Sequence, residues 1–300
     1  MVLTGVHLLL TYQCNLECDH CFVWGSPWQT GTITIRSIRE LMNQAKELGT
    51  VDWFYFEGGE PFLYYAILLK SIQEAASMGF KVGLVTNGYW ATEPEDAIEW
   101  LRPMKDLIQD LSISSDLYHW SEKLSQLARN ASDAAGELGI PSGVISIAQA
   151  DSMDALSPVG KLPPGESVVM YRGRAANKLS GEARKHPWKQ FTSCPYENLR
   201  DPGRVHVDPY GYVHICQGIS LGNVNEKKLD DIISDYRPDD HPIVGPILKN
   251  GPAALVDRYD LNTREDYADA CHLCSEACRA LRGQFTDILV PDQMFGVMEE

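Results

Sequence analysis

The sequence predicts an α/β fold: a partial (β/α)6 TIM-like barrel over residues 1–185, followed by a small cysteine-rich α+β domain over residues 186–300. Three observations carry this expectation. Short apolar runs alternate with helical patterns as far as about residue 175. Such alternation implies right-handed crossovers and a parallel sheet with helices outside it. Beyond about residue 180 the alternation is lost, and Pro, Gly, Asp and Cys become frequent.

Taken in order, VHLLLTY (6–12) reads as a buried strand. Ile35 to Leu48 then places Ile35, Ile38, Leu41, Met42, Ala45 and Leu48 on one helix face, with Gly49 as the stop. VDWFYF (51–56) is the second strand, Leu63 to Met78 a helix closed by Gly79, and FKVGLVT (80–86) the third strand. Thr92 with Glu95 predicts a capping box for a helix to about Trp100. DLIQDLSIS supplies strand four, Ser121 to Leu138 a helix stopped at Gly139, GVISI (143–147) strand five and SVVMY (167–171) strand six. In the second part, RVHVD-PYG-YVHIC (204–216) reads as a β-hairpin ending at Cys216.

Composition narrows the function classes. The chain has 300 residues, and its formal net charge of -15 argues against a general nucleic-acid binder, which needs dense Lys and Arg surfaces. No apolar run is long enough to cross a bilayer, and MVLTGVHLLLTY lacks the basic flank of a signal peptide. The expectation is a soluble cytoplasmic protein with no membrane partner. There, disulfides have little use, so cysteines that cluster point to metal or cluster ligation. The eight fall as a tight triplet (14, 18, 21), a separated pair (194, 216) and a second triplet (271, 274, 278).

Cys14, Cys18 and Cys21 have C-x3-C-x2-C spacing immediately after the first strand, at the C-terminal mouth of a parallel barrel. Three thiolates within eight residues can hold three irons of a 4Fe–4S cubane and leave the fourth open. The alternative is zinc with His20 as fourth ligand, although adjacent His20 and Cys21 make poor co-ligands.

At this point the sequence resembles the radical S-adenosylmethionine (radical SAM) enzymes, which carry this triplet and often an aromatic residue where His20 stands. Gly58-Gly59-Glu60-Pro61 after strand two resembles the family's methionine-binding GGEP segment. Glycines there let backbone approach a ligand closely, and exposed acceptors can bind an ammonium group. Thr86-Asn87-Gly88 after strand three resembles the TNG segment at the cofactor's edge. Ser112 and Ser114 on strand four resemble the S-x-S/D region, and Gly143-x-Ile145 on strand five the adenine-contacting G-x-I. Arg172-Gly173-Arg174-Ala175 resembles a G-R-A element of relatives with extra clusters. Together these cover roughly residues 6–175. They imply S-adenosylmethionine bound against His20, the GGEP segment, Asn87, Ser112, Ser114, Ile145 and Arg172. They also imply reductive cleavage to a 5′-deoxyadenosyl radical, fed by an external electron donor such as flavodoxin or ferredoxin. Where relatives carry an Arg after His119, this chain has Lys123 nearby.

The later cysteines resemble Twitch or SPASM extensions. A Twitch-like auxiliary 4Fe–4S cluster on Cys194, Cys216, Cys271 and Cys274 is the preferred reading, with a zinc staple as the alternative. Cys278 is then surplus: a buried thiol, a substitute ligand or a hydrogen donor to a substrate radical. The first strand begins near residue 6, which leaves no room before it for a peptide-recognition domain and favours a small metabolite to be oxidised or otherwise modified, or a separately delivered peptide; a peptide to be crosslinked or epimerised is the alternative. A non-catalytic iron–sulfur or zinc protein is the alternative of another class. Tyr118, His119, Trp24 and Trp28 are candidates for the substrate cavity by position alone.

Overall fold

A computed structural model describes residues 1–150 and 166–297. Its organising element is a sheet whose first five strands are β1 (Gly5–Thr11), β2 (Trp53–Gly58), β3 (Lys81–Thr86), β4 (Asp110–Ser114) and β5 (Ser142–Ile145). These pair in parallel as β5-β4-β3-β2-β1. The crossovers are α1 (Ile35–Leu48), α2 (Tyr65–Ser77), α3 (Pro94–Leu101) and α4 (Gln126–Glu137).

Residues in register on neighbouring strands face the same side. One such set, Val6, Phe54 and Val82, together with Leu8, Phe56, Leu84 and Leu111, packs against Ile38, Leu41 and Met42 of α1 and Leu68 and Ile72 of α2. The alternate positions face the concave side: His7, Tyr55, Gly83 and Asp110 are in register, as are Leu9 with Glu57 and Val85 with Ser112. The outer face is therefore apolar and the concave face largely polar, as a helix-covered sheet with an internal site requires.

α1 has the bounds expected from its periodicity. Thr34 caps it by accepting the Ser37 N–H at 3.1 Å, and Gly49 ends it in the left-handed region at φ 73°. Three expectations need correction. The Thr92–Glu95 capping box does not form: Pro94 takes the first helical turn, Glu93 is the cap residue, and the Thr92 hydroxyl donates instead to Asp96 Oδ2 at 2.7 Å. The helix expected from Ser121 starts at Gln126, where the Ser125 side chain caps the Ala128 N–H. The sixth strand shrinks to a single parallel bridge between Ile147 and Ser167. Beyond it the chain leaves the ladder to reach the cysteine loop, where Arg174 N–H donates to Cys21 O at 2.9 Å.

The sheet does not stop at the barrel. α5 (Arg174–Lys178) and β6 (His186–Pro187) lead to the expected hairpin of β7 (Arg204–Val207) and β8 (Tyr212–Cys216), followed by β9 (Ile219–Asn223). β7 pairs in parallel with β1, so the full order is β5-β4-β3-β2-β1-β7-β8-β9, and no pairing among the described residues closes it into a barrel. Four α-helices follow among the described residues: α6 (Leu229–Asp235), α7 (Val244–Asn250), α8 (Ala253–Tyr259) and α9 (Ala270–Leu281), with the short β10 (Asp266–Tyr267) pairing with β6. A second core joins Leu9, Tyr12 and Val23 of the barrel to Ile215, Ile219, Leu255 and Leu289. Among the described residues no helix is long and apolar enough to cross a membrane.

Candidate functional site

The loop from β1 to α1 carries Cys14, Cys18 and Cys21, and its shape is set by neighbours that are equally specific. Gly58 (φ 134°) ends β2, Gly59 follows it, and both lie against the end of β1: Gly59 N–H donates to Thr11 O at 2.7 Å and Glu60 N–H to Gln13 O at 2.9 Å. A Cβ on Gly59 would overlap the Gln13 carbonyl, so only glycine permits this approach. Across the loop, the buried Arg174 guanidinium donates to Cys18 O at 2.7 Å and Gly25 O at 2.9 Å. Gly173 (φ 58°) lets that segment touch Cys21 and Phe22.

The sulfurs are prepared as acceptors. Leu16 N–H lies 3.4 Å and Asn87 Nδ2 3.7 Å from Cys14 Sγ, and Gly25 N–H lies 3.2 Å from Cys21 Sγ. Burial pushes the Cys14 thiol up to about 12, and burial together with the neighbouring Cys21 raises Cys18 further. Thiols so placed ionise readily only beside a cation that takes the thiolate as ligand. Three thiols lining one cavity, two of them with N–H donors already aimed at their sulfurs, fit an iron–sulfur cluster.

A cavity of about 580 Å³ opens beside this loop. Of the sequence-predicted residues, Cys14, Cys18, Cys21, His20, Gly58, Gly59, Asn87, Ser112, Ser114, Ile145 and Arg172 all line it. Glu60 and Pro61 are buried behind the wall. The Glu60 carboxylate accepts from Phe62 N–H at 3.1 Å, Thr86 Oγ1 at 2.9 Å and Asn87 N–H at 2.7 Å, and so ties the GGEP turn to the TNG turn. Burial raises its pKa to about 7 against those three hydrogen bonds.

Next to the cysteine loop, buried Asp116 accepts from Tyr118 N–H and Ile147 N–H and contacts His119 Nδ1 at 2.8 Å and His20 Nε2 at 3.2 Å. Burial opposes its ionisation, but the hydrogen bonds from His119 and His20 override this and hold the carboxyl well below the usual carboxylate range. Burial also lowers His20. His119 lines the cavity, whereas Trp28 is exposed, Trp24 packs against Gly296, and Lys123 pairs with Glu166 at 2.9 Å on the surface.

The five later cysteines also meet. Cys194, Cys216 at the end of β8, and Cys271, Cys274 and Cys278 on one face of α9 line a second, mostly apolar cavity of about 50 Å³. Burial pushes Cys216 up to about 12, opposed by Arg172. Arg172 borders both cavities: its Nη1 lies 3.7 Å from Cys216 Sγ and 3.5 Å from Glu197, with the guanidinium 5.2 Å over the Phe22 ring. Cys278 borders only the smaller cavity.

Sequence reading missed the polar floor of the large cavity: His7, Tyr55, Glu57, Asp110, Arg204 and His206. Their only trace in the sequence is a lone polar residue or an alternating pair within otherwise apolar strands. Arg174, quoted in the same R-G-R-A element as Arg172 but given no role there, holds the cysteine loop.

Comparison with known proteins agrees with this geometry. Residues 8–135 match the family model of the radical SAM superfamily. Over 214 residues the chain is 27% identical to YydG of Bacillus subtilis (strain 168), whose name places it provisionally in peptide biosynthesis; the aligned stretch covers 71% of this chain and 66% of YydG. The fold is shared with BtrN, solved with AdoMet and 2-DOIA (TM-score 0.52, 16% identity, 83% of this chain and 88% of that one). It is also shared with Streptococcus suis SuiB bound to S-adenosylmethionine (TM-score 0.50, 13% identity, 90% of this chain and 75% of that one). With its cysteine loop, glycine turn and parallel sheet arranged in this way, residues 8–135 carry a radical SAM superfamily domain.

Proposed function

We propose that this protein cleaves S-adenosylmethionine reductively and uses the 5′-deoxyadenosyl radical to take a hydrogen atom from a substrate held in the large cavity. The observation that carries this reading is convergence: the cysteine loop, Gly58 and Gly59, Asn87, and Ser112 and Ser114 arrive from four different strand ends at one cavity. A 4Fe–4S cluster on Cys14, Cys18 and Cys21, when bound, supplies the electron for that cleavage. The protein's own residues do the rest. Arg174 fixes the loop and Glu60 locks the two turns that border the cavity. His20, Asn87, Ser112, Ser114 and Ile145 face the space where the cosubstrate is to be oriented.

Cys194, Cys216, Cys271 and Cys274 are the ligand set for a Twitch-like auxiliary 4Fe–4S cluster, supported by their meeting on one buried cavity with the Arg172 cation beside them. Cys278 is a fifth thiol on the same cavity, one helical turn beyond Cys274. The substrate reading favoured by the likeness to YydG is a residue of a peptide. A small metabolite is the second reading, favoured by a cavity within the ~300–1,000 Å³ range of small-ligand sites. A flavodoxin or ferredoxin in the cytoplasm would supply the electrons.

The test is anaerobic reconstitution of wild type and of a variant with Cys14, Cys18 and Cys21 all changed to Ala. Reduced wild type should convert S-adenosylmethionine to 5′-deoxyadenosine, and the variant should not; a fully reconstituted wild type that forms none refutes the reading. About four irons per chain retained by the variant support the auxiliary cluster. Zinc or no metal there overturns it.

A further inference from the structure

The floor of the large cavity holds a group of side chains that the cysteine loop does not use. His7 on β1, Glu57 on β2 and His206 on β7 come from three adjacent parallel strands, with β1 in the middle. His7 Nδ1 lies 3.3 Å and His206 Nε2 3.1 Å from the same Glu57 Oε1, and one ligand atom from each residue falls within 4.8 Å of the others. Each side chain is less than a fifth exposed, and all three line the cavity. The rings are held from outside the group. Tyr55 stacks on His7 at 4.6 Å and is itself anchored by its hydroxyl to Asp110 at 3.1 Å, while the Phe22 ring stands 6.0 Å from His206.

We propose that His7, Glu57 and His206 form a site for one divalent first-row cation such as Mn2+, Fe2+ or Zn2+, whose open positions face the cavity and take an oxygen or nitrogen donor of the substrate. Two imidazoles and one carboxylate are a donor set that holds such ions while leaving positions free. Donors bound at about 2.0–2.2 Å to a common ion stand roughly 3.0–3.5 Å from one another, and both Glu57 edges of the triad already have that length. Paired imidazoles disfavour Mg2+ and Ca2+, which prefer all-oxygen surroundings. The absence of sulfur sets this triad apart from both cysteine groups.

The test uses the tag-free full-length protein with its clusters reconstituted, free iron removed and no S-adenosylmethionine added. Mn2+ is titrated in, and its free six-line electron paramagnetic resonance signal is followed. Thiolates compete poorly for this hard ion. Wild type should take up one Mn2+ per chain, and electron spin echo of the bound ion should show 14N modulation from imidazole. Glu57→Gln and His206→Gln should each weaken uptake roughly tenfold or more, whereas His119→Gln, in the His20–Asp116–His119 group, should leave it unchanged. Iron content and circular dichroism equal to wild type show that the variants are folded. The proposal is overturned if wild type binds no Mn2+, if the bound ion shows no nitrogen coupling, or if binding survives in folded Glu57→Gln and is lost in His119→Gln. The first two outcomes need no variant at all, and none depends on turnover.

Discussion

Two residues show how much of the site rests on side chains that touch no ligand. Arg174 is nearly fully buried and its guanidinium satisfies the carbonyls of Cys18 and Gly25. Arg174→Ala strands two buried acceptors at about 1–3 kcal/mol each, so urea unfolding should show a loss of roughly 2–5 kcal/mol, and iron on the first triplet should fall with it. Arg174→Lys should recover only part of both, because an ammonium cannot span two carbonyls as a planar fork does. Glu60 supplies a pH dependence. Its carboxyl is raised by burial from 4.5 to about 7, so the folded protein holds that proton more tightly than the unfolded chain. Its contribution is fully present below pH 4.5 and is lost as pH rises through about 7, with a size of order 3 kcal/mol. Urea midpoints of wild type and Glu60→Gln measured from pH 5 to 8 should show the stability of wild type relative to the variant falling with pH; a constant difference refutes the assignment. At this scale the cysteine triplets, the paired glycines and Asn87 were legible because each motif packs its chemistry into a few consecutive residues. His7, Glu57 and His206 were not, because what joins them is strand order across 199 positions, and each looks alone like an isolated polar residue in a strand.

At the scale of elements, α9 is the clearest case of a secondary structure made for its side chains. Asp269 caps it by accepting His272 N–H at 2.7 Å with one oxygen, while the other accepts Tyr171 N–H at 3.3 Å from the segment next to Arg172. One carboxylate therefore fixes both the helix that presents Cys271, Cys274 and Cys278 and its distance from the barrel. Asp269→Ala should cost about 1–2 kcal/mol as a lost cap. In a background without Cys14, Cys18 and Cys21 it should also lower the residual iron, whereas Asp269→Asn, whose single amide oxygen can still accept one of the two N–H groups, should retain more of it; equal iron in all three proteins would separate the cap from the cysteine site. Element reading succeeded where periodicity and caps agreed, as in α1 between Thr34 and Gly49. It failed where tertiary demands overrode local pattern: SVVMY has strand composition, but its chain must leave the sheet to dock Gly173 and Arg174 on the cysteine loop. The last four helices were unread because their apolar positions belong to seven-residue segments too short to display a helical period, apart from α9.

The whole molecule is tied together by β1. On one side it pairs with β2 and on the other with β7, with Val6 opposite Val205 and Leu8 opposite Val207. The change of composition near residue 185 therefore marks a change of chemistry within a sheet that runs on across it. Beyond the ladder, the buried Tyr12 hydroxyl donates to Asp208 Oδ2 at 2.8 Å, and Leu9 and Val23 pack into the second core. A fragment of residues 1–185 would expose Leu9 and Val23, at about 1.5–3 kcal/mol each, and would leave β1 as an apolar edge with unpaired backbone groups. Against a total stability of about 5–15 kcal/mol for a typical domain, those losses together with the Tyr12 bond are enough to unfold it. The fragment should therefore be aggregated or unfolded, and the intact chain should melt in one transition, with far-ultraviolet circular dichroism and tryptophan fluorescence superimposing. The two cysteine sites would then share one folding unit, and stripping metal from either should lower a common midpoint. A soluble 1–185 fragment with native-like dichroism, or two separated transitions in the full chain, would show that the barrel stands without β7.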